Sequence, residues 1–135
     1  MAAVCSWHEH HEATRREVER RGAAGERLVL SAHSLAETFS VLTRLPEPYR
    51  LSPNDALALI DANWAETRLV ALTGSDYRFT LRKCRDLSIG GGAAYDALIA
   101  ACARKARVGT LVTWNVGDFE RFFDDEPLVT APRLR

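Results

Sequence analysis

The 135-residue chain has no excess of charge of either sign: Lys and Arg together number 18, Asp and Glu together 18, and the formal net charge is zero. Such a balance gives no bulk attraction to nucleic acid or to an anionic membrane, so an anionic partner has to be met by local patches. Long apolar runs are missing as well. None approaches the roughly 20 residues that a membrane span needs, and residues 1–6 have neither the basic nor the apolar region of a secretory leader. A soluble, cytoplasmic protein without membrane contact is the expectation. Cysteine is sparse: Cys5, Cys84 and Cys102 are odd in number and lack CxxC spacing, which suits free thiols in a reducing compartment better than a disulfide framework. His8, His10 and His11 crowd one stretch but fail the HExxH spacing of a metalloprotease, because position 12 is Glu; they read as a solvated helix start.

Hydrophobic residues make up 47% of the chain, enough for a core, and the length fits one domain over residues 1–135. The patterning alternates. A charged helix is expected from Trp7 to about Arg21, with Trp7, Ala13 and Val18 on its narrow apolar stripe, and then a strand over Arg27–Ser31. Ser34-Leu35-Ala36-Glu37 reads as a capping box opening a helix, so Glu37 has a structural explanation beside a functional one. Ser52 and Pro53 open another helix running to about Ala65. A strand follows at Thr67–Leu72. Ser75 is expected to cap a helix with Tyr77, Phe79, Leu81 and Cys84 inward and Arg78, Arg82, Lys83 and Arg85 outward. Alternation at this spacing argues for an α/β fold with a parallel sheet and helices on its faces.

The stretch from Gly90 to Phe119 concentrates the chemistry. Gly90-Gly91-Gly92 is not followed by the Gly-Lys-Ser/Thr of a phosphate loop and does not follow a clear strand, which weakens a reading as a phosphorylated-ligand domain. It reads as a loop ahead of a helix from about Ala93 to Arg107, apolar on nearly every side and therefore buried. Asp96 is the one acid in that helix and stands in its first turn. The dipole accounts for it structurally, but a carboxylate in such a setting needs a partner, and a divalent cation shared with other carboxylates would serve. Gly109 is the expected stop. A strand Thr110–Trp114 then delivers Asp118 past its C-terminal end, where open α/β sheets place their sites. Thr113-Trp114-Asn115-Val116-Gly117-Asp118-Phe119 also admits a plain Asx-type turn. A short helical turn at Glu120–Phe123 and a strand at Leu128–Thr130 close the chain. The basic groups Arg82-Lys83-Arg85 and Arg104-Lys105-Arg107 read either as phosphate contacts or as solvated faces.

Three features in this order resemble the PIN domain, most closely the small VapC-type toxins of bacterial toxin–antitoxin pairs: Glu37 on an early helix, Asp96 in Tyr95-Asp96-Ala97-Leu98-Ile99-Ala100-Ala101, and the T-x-N-x-x-D-F pattern of Thr113–Phe119. The resemblance covers nearly the whole chain. It implies a three-layer fold with a central parallel sheet and helices on both faces. It also implies an endoribonuclease dependent on Mg²⁺ or Mn²⁺, neutralised by a cognate antitoxin and commonly homodimeric. Hard oxygen ligands suit those cations, and such a metal can activate water and offset charge on the phosphate. By position Asp96, Asp118 and Glu37 would be the catalytic and metal-binding acids, with Thr113 and Asn115 orienting them. One departure stands out. The family opens with an Asp-bearing strand, whereas here only Met1–Ser6 precedes the segment matching Trp7 and the first aspartate is Asp55. The expectation is a start that lacks this strand, with weak metal affinity, and with a non-cutting module that binds RNA or antitoxin as the competing reading.

Overall fold

Helices begin where a hydroxyl side chain can take up an otherwise orphaned backbone amide, and the computed structural model, which describes residues 3–134, shows this at three starts. Ser52 accepts from the Asp55 N–H at 3.1 Å, and Pro53 occupies the first turn of the helix Pro53–Trp64. Ser31 accepts from the Ser34 N–H at 3.1 Å and opens the helix Ala32–Arg44. Thr73 and Asp76 form a reciprocal capping box at the start of the helix Gly74–Asp86, with the Thr73 N–H donating to Asp76 Oδ2 at 2.8 Å. Two of these correct the sequence reading. The caps are Ser31 rather than Ser34, and Thr73 rather than Ser75.

In chain order the elements are α1 (His11–Ala23), β1 (Val29–Ser31), α2 (Ala32–Arg44), α3 (Pro53–Trp64), β2 (Arg68–Val70), α4 (Gly74–Asp86), α5 (Ala93–Ala106), β3 (Thr110–Val112), α6 (Val116–Glu120) and β4 (Leu128–Thr130). The fold is mixed α/β, as the alternation predicts, with strands of only three residues. The expected strands at 27–31, 67–72 and 110–114 are all shorter than their apolar runs. The first helix starts at His11 instead of Trp7, and the last helical turn comes earlier, at Val116 instead of Glu120.

The described residues fall into two compact units, 3–68 with 133–134, and 69–132. In the first, α2 packs on α3 around Leu42, Ala56 and Ile60, joined by Val4 and Cys5 from the start of the chain. Residues 3 and 4 form a turn and no strand is found over residues 3–10; residues 1 and 2 of the expected strandless start lie outside the described residues. Trp7 stacks on Tyr49 at 4.9 Å between ring centroids. The buried positions of α1 are Ala13 and Glu17, while Val18 and Trp7 are exposed, so the predicted apolar stripe is corrected. Glu17 is tolerated inside because Arg20 reaches it at 2.7 Å and Arg21 at 2.8 Å.

In the second unit α4 packs on α5, α5 on α6, and β3 pairs in parallel with β4 in the register Thr110–Leu128, Leu111–Val129 and Val112–Thr130. Ala97, Leu98, Ala100, Cys102 and Ala103 are buried along α5, in line with its nearly all-round apolar character. On α4 the inward positions are Thr80 and Cys84; Tyr77, Phe79 and Leu81 are exposed, against expectation. Those three follow one another at spacing two, which is not the period of a helix face. α5 ends at Arg107, which takes the left-handed conformation at φ 53° and ψ 47°, two residues ahead of the glycine expected to stop it.

Candidate active site

The last strand–turn–helix of the second unit is built by a threonine. Beyond β3 the Thr113 N–H donates to the Thr130 carbonyl at 2.9 Å, extending the contact with the strand-bearing tail by one residue. The Thr113 hydroxyl then accepts from the Asn115 N–H at 3.1 Å. The Asn115 carbonyl in turn accepts from the Asp118 N–H at 3.1 Å. Asn115 is the N-cap residue of α6, and its side chain makes no capping bond. The turn is therefore of the hydroxyl type rather than the Asx type. Its effect is to place Asp118, exposed, in the first turn of α6, where the helix dipole favours a carboxylate. Phe119, next in sequence, is buried and meets Phe122 edge-on at 6.3 Å, anchoring the turn from beneath.

Asp96 occupies the corresponding place on α5, in its first turn. The glycine run makes that start possible. Gly91 adopts φ +59°, and the Gly91 and Gly92 carbonyls accept from the Ala94 and Tyr95 amides at 3.2 and 3.0 Å. Asp96 is half-buried and is not without an interaction partner, so the cost expected for an isolated carboxylate does not arise. Within this unit, then, two helices that pack on each other each carry an aspartate in the first turn.

Glu37 belongs to the first unit and is exposed on α2. Because α2 opens at Ser31, Glu37 lies in the second turn and plays no part in the cap. The capping explanation drawn from Ser34 is thereby removed. Among the described residues no three His, Cys, Asp or Glu side chains are gathered so as to hold a metal ion. The carboxylates have the hard-oxygen chemistry for Mg²⁺ or Mn²⁺, but they do not form a closed protein cage.

Two basic residues that the sequence leaves open between phosphate contact and solvent are engaged by the protein. Lys105 pairs with Asp76 at 2.7 Å, and with the Thr73 amide it holds the Asp76 carboxyl down at about 2. Arg104 donates to the Phe122 carbonyl at 2.8 Å and lies 5.4 Å from the Phe123 ring centroid, tying the end of α5 to the segment after α6. The one signal for this in the sequence is that both residues stand in the last turn of a buried helix, where cations favour the helix end.

Comparison with known proteins points one way. The family description "PIN domain" matches residues 1–122. Ribonuclease VapC40 of Mycobacterium tuberculosis (strain ATCC 25618 / H37Rv) is 37% identical over 133 residues, covering 96% of this chain and 93% of that protein. Ribonuclease VapC27 of the same strain is 38% identical over 106 residues, covering 78% of this chain and 65% of that protein.

Proposed function

The chain belongs to the PIN-domain family, and from that footing we propose that it is an endoribonuclease of the VapC toxin type, built as one domain over residues 1–135. The observation that carries the reading is the pair of first-turn aspartates, Asp96 and Asp118, on the packed helices α5 and α6. Asp96, Asp118 and Glu37 are proposed as the catalytic acids. Thr113 and Asn115 orient Asp118 through the turn they form.

Mg²⁺ or Mn²⁺ is the proposed cofactor. When bound, such a cation supplies charge neutralisation and water activation at a phosphodiester. Mg²⁺ is commonly held by one or two carboxylates together with waters and substrate phosphates, a pattern that suits acids not gathered into a cage. What the chain itself provides is placement. The helix starts present two carboxylates, and the Phe119 anchor fixes the turn bearing one of them.

A cognate antitoxin and a second copy of the chain are the proposed protein partners. Leu57 on α3, Leu69 on β2 and Leu87 after α4 are between 46% and 61% exposed, apolar side chains available to a partner. A cytoplasmic location is proposed from the three buried free cysteines. No helix among the described residues is long and apolar enough to cross a membrane.

The test is cleavage of RNA by this chain with Mn²⁺, beside Asp96→Asn. Turnover in the wild type that disappears in the variant is the expected result. Turnover that survives Asp96→Asn rules out the assigned site. A second reading, in keeping with the absence of three gathered acids among the described residues, is a module that binds RNA or antitoxin without cutting; its signature is binding with no turnover even at high Mn²⁺.

A further inference from the structure

The helix α4 turns its buried residues, Thr80 and Cys84, to one side. Arg78, Arg82 and Arg85 fall on the opposite side, spaced by about 6 and 4.5 Å along the axis. With Leu81 they line an open groove of about 340 Å³. Every acid on this helix is already engaged: Asp76 pairs with Lys105 and Asp86 with Arg85. Arg78 and Arg82 form no ion pair with a described residue. In a chain of zero net charge, this face is a local concentration of uncompensated positive charge. Beside it Phe79 is 58% exposed, with the Lys83 ammonium 5.2 Å from its ring centroid.

We propose that this face of α4 is a binding site for single-stranded RNA, with Arg78 and Arg82 on successive backbone phosphates and Phe79 offering a surface on which a base stacks. The proposal rests on the ribonuclease reading for its choice of nucleic acid. Guanidinium forks match phosphate oxygens in pairs. An exposed aromatic ring among cations is the arrangement that single-strand binders use, whereas an acidic protein segment would have no use for the ring.

The experiment measures binding to a short fluorescein-labelled 2′-O-methyl RNA by anisotropy across a salt series, in EDTA, so that cleavage plays no part. All the substituted residues are exposed, and circular dichroism checks that the fold is kept. Arg78→Gln/Arg82→Gln should raise Kd by about tenfold or more at low salt. Because each phosphate contact on a single strand contributes about 0.7 to the slope of log K against log salt, the double variant should lower that slope by about 1.4. Phe79→Ala should weaken binding with the slope unchanged. An unaltered Kd and slope in the double variant overturns the proposal. So does a polyglutamate peptide that binds the wild type and is lost in the double variant while RNA is retained, since the face would then recognise an acidic protein. The two readings fail separately. A chain that binds through these arginines but does not cleave with Mn²⁺ overturns the nuclease assignment alone, and one that cleaves while the double variant binds normally overturns the groove alone.

Discussion

At the scale of single residues the most consequential side chain outside the site is Glu17. It is 3% exposed and receives hydrogen bonds from Arg20 and Arg21, which hold its carboxyl at about 2 against an ordinary 4.5. A depressed carboxylate stabilises the fold fully above its unfolded value and ceases to do so as pH falls through the folded one. The stabilisation from this cluster is therefore intact above about 4.5 and fades toward about 2. Arg20 is 40% exposed, so water screens part of the interaction. Glu17→Gln should cost about 2 kcal/mol at neutral pH and almost nothing in acid below the folded value. Urea unfolding of the two proteins under both conditions measures this; a difference that persists in acid would assign the effect to packing instead of charge.

At the scale of elements, the turn from β3 into α6 matters most. The Thr113 hydroxyl shapes the approach to Asp118. Thr113→Val keeps the shape and removes the acceptor, leaving the Asn115 amide to water. The expected result is a loss of RNA cleavage of about 10-fold to 100-fold, the range found when groups that orient ligands are removed, with little change in thermal stability. Cleavage at the wild-type rate would show that Asp118 is placed by α6 and Phe119 alone.

At the scale of the whole molecule, the exposed apolar side chains and the single-domain proposal meet in two measurements. Light scattering should give a mass near twice the chain's 15.0 kDa if a second copy covers part of that surface. Denaturant unfolding followed by tryptophan fluorescence and by circular dichroism should give coincident curves, because one domain of this size unfolds cooperatively. Separate transitions by the two probes would mean that residues 3–68 and 69–132 melt independently.

The amino-acid sequence by itself determined what is encoded locally or as a contiguous pattern. The start of α3 at Ser52-Pro53, the extent of α5, the position of β4 and the order of Glu37, Asp96 and Asp118 along an α/β chain are of this kind. A cap, a run of alanines and a motif seven residues long each carry their signal within a few turns of chain. Tertiary structure decided what depends on which face finds a neighbour. Serines three apart, Ser31 and Ser34, both suit a cap, and the end of β1 selects the first. Tyr77, Phe79 and Leu81 are more apolar than Thr80, but Thr80 and Cys84 are the buried positions of α4, which packs on α5, because helical geometry puts those two on one face. Glu17 looks like one more surface charge until Arg20 and Arg21 fold over it. Hydrophobicity predicts that a residue can be buried, and only packing settles which ones are.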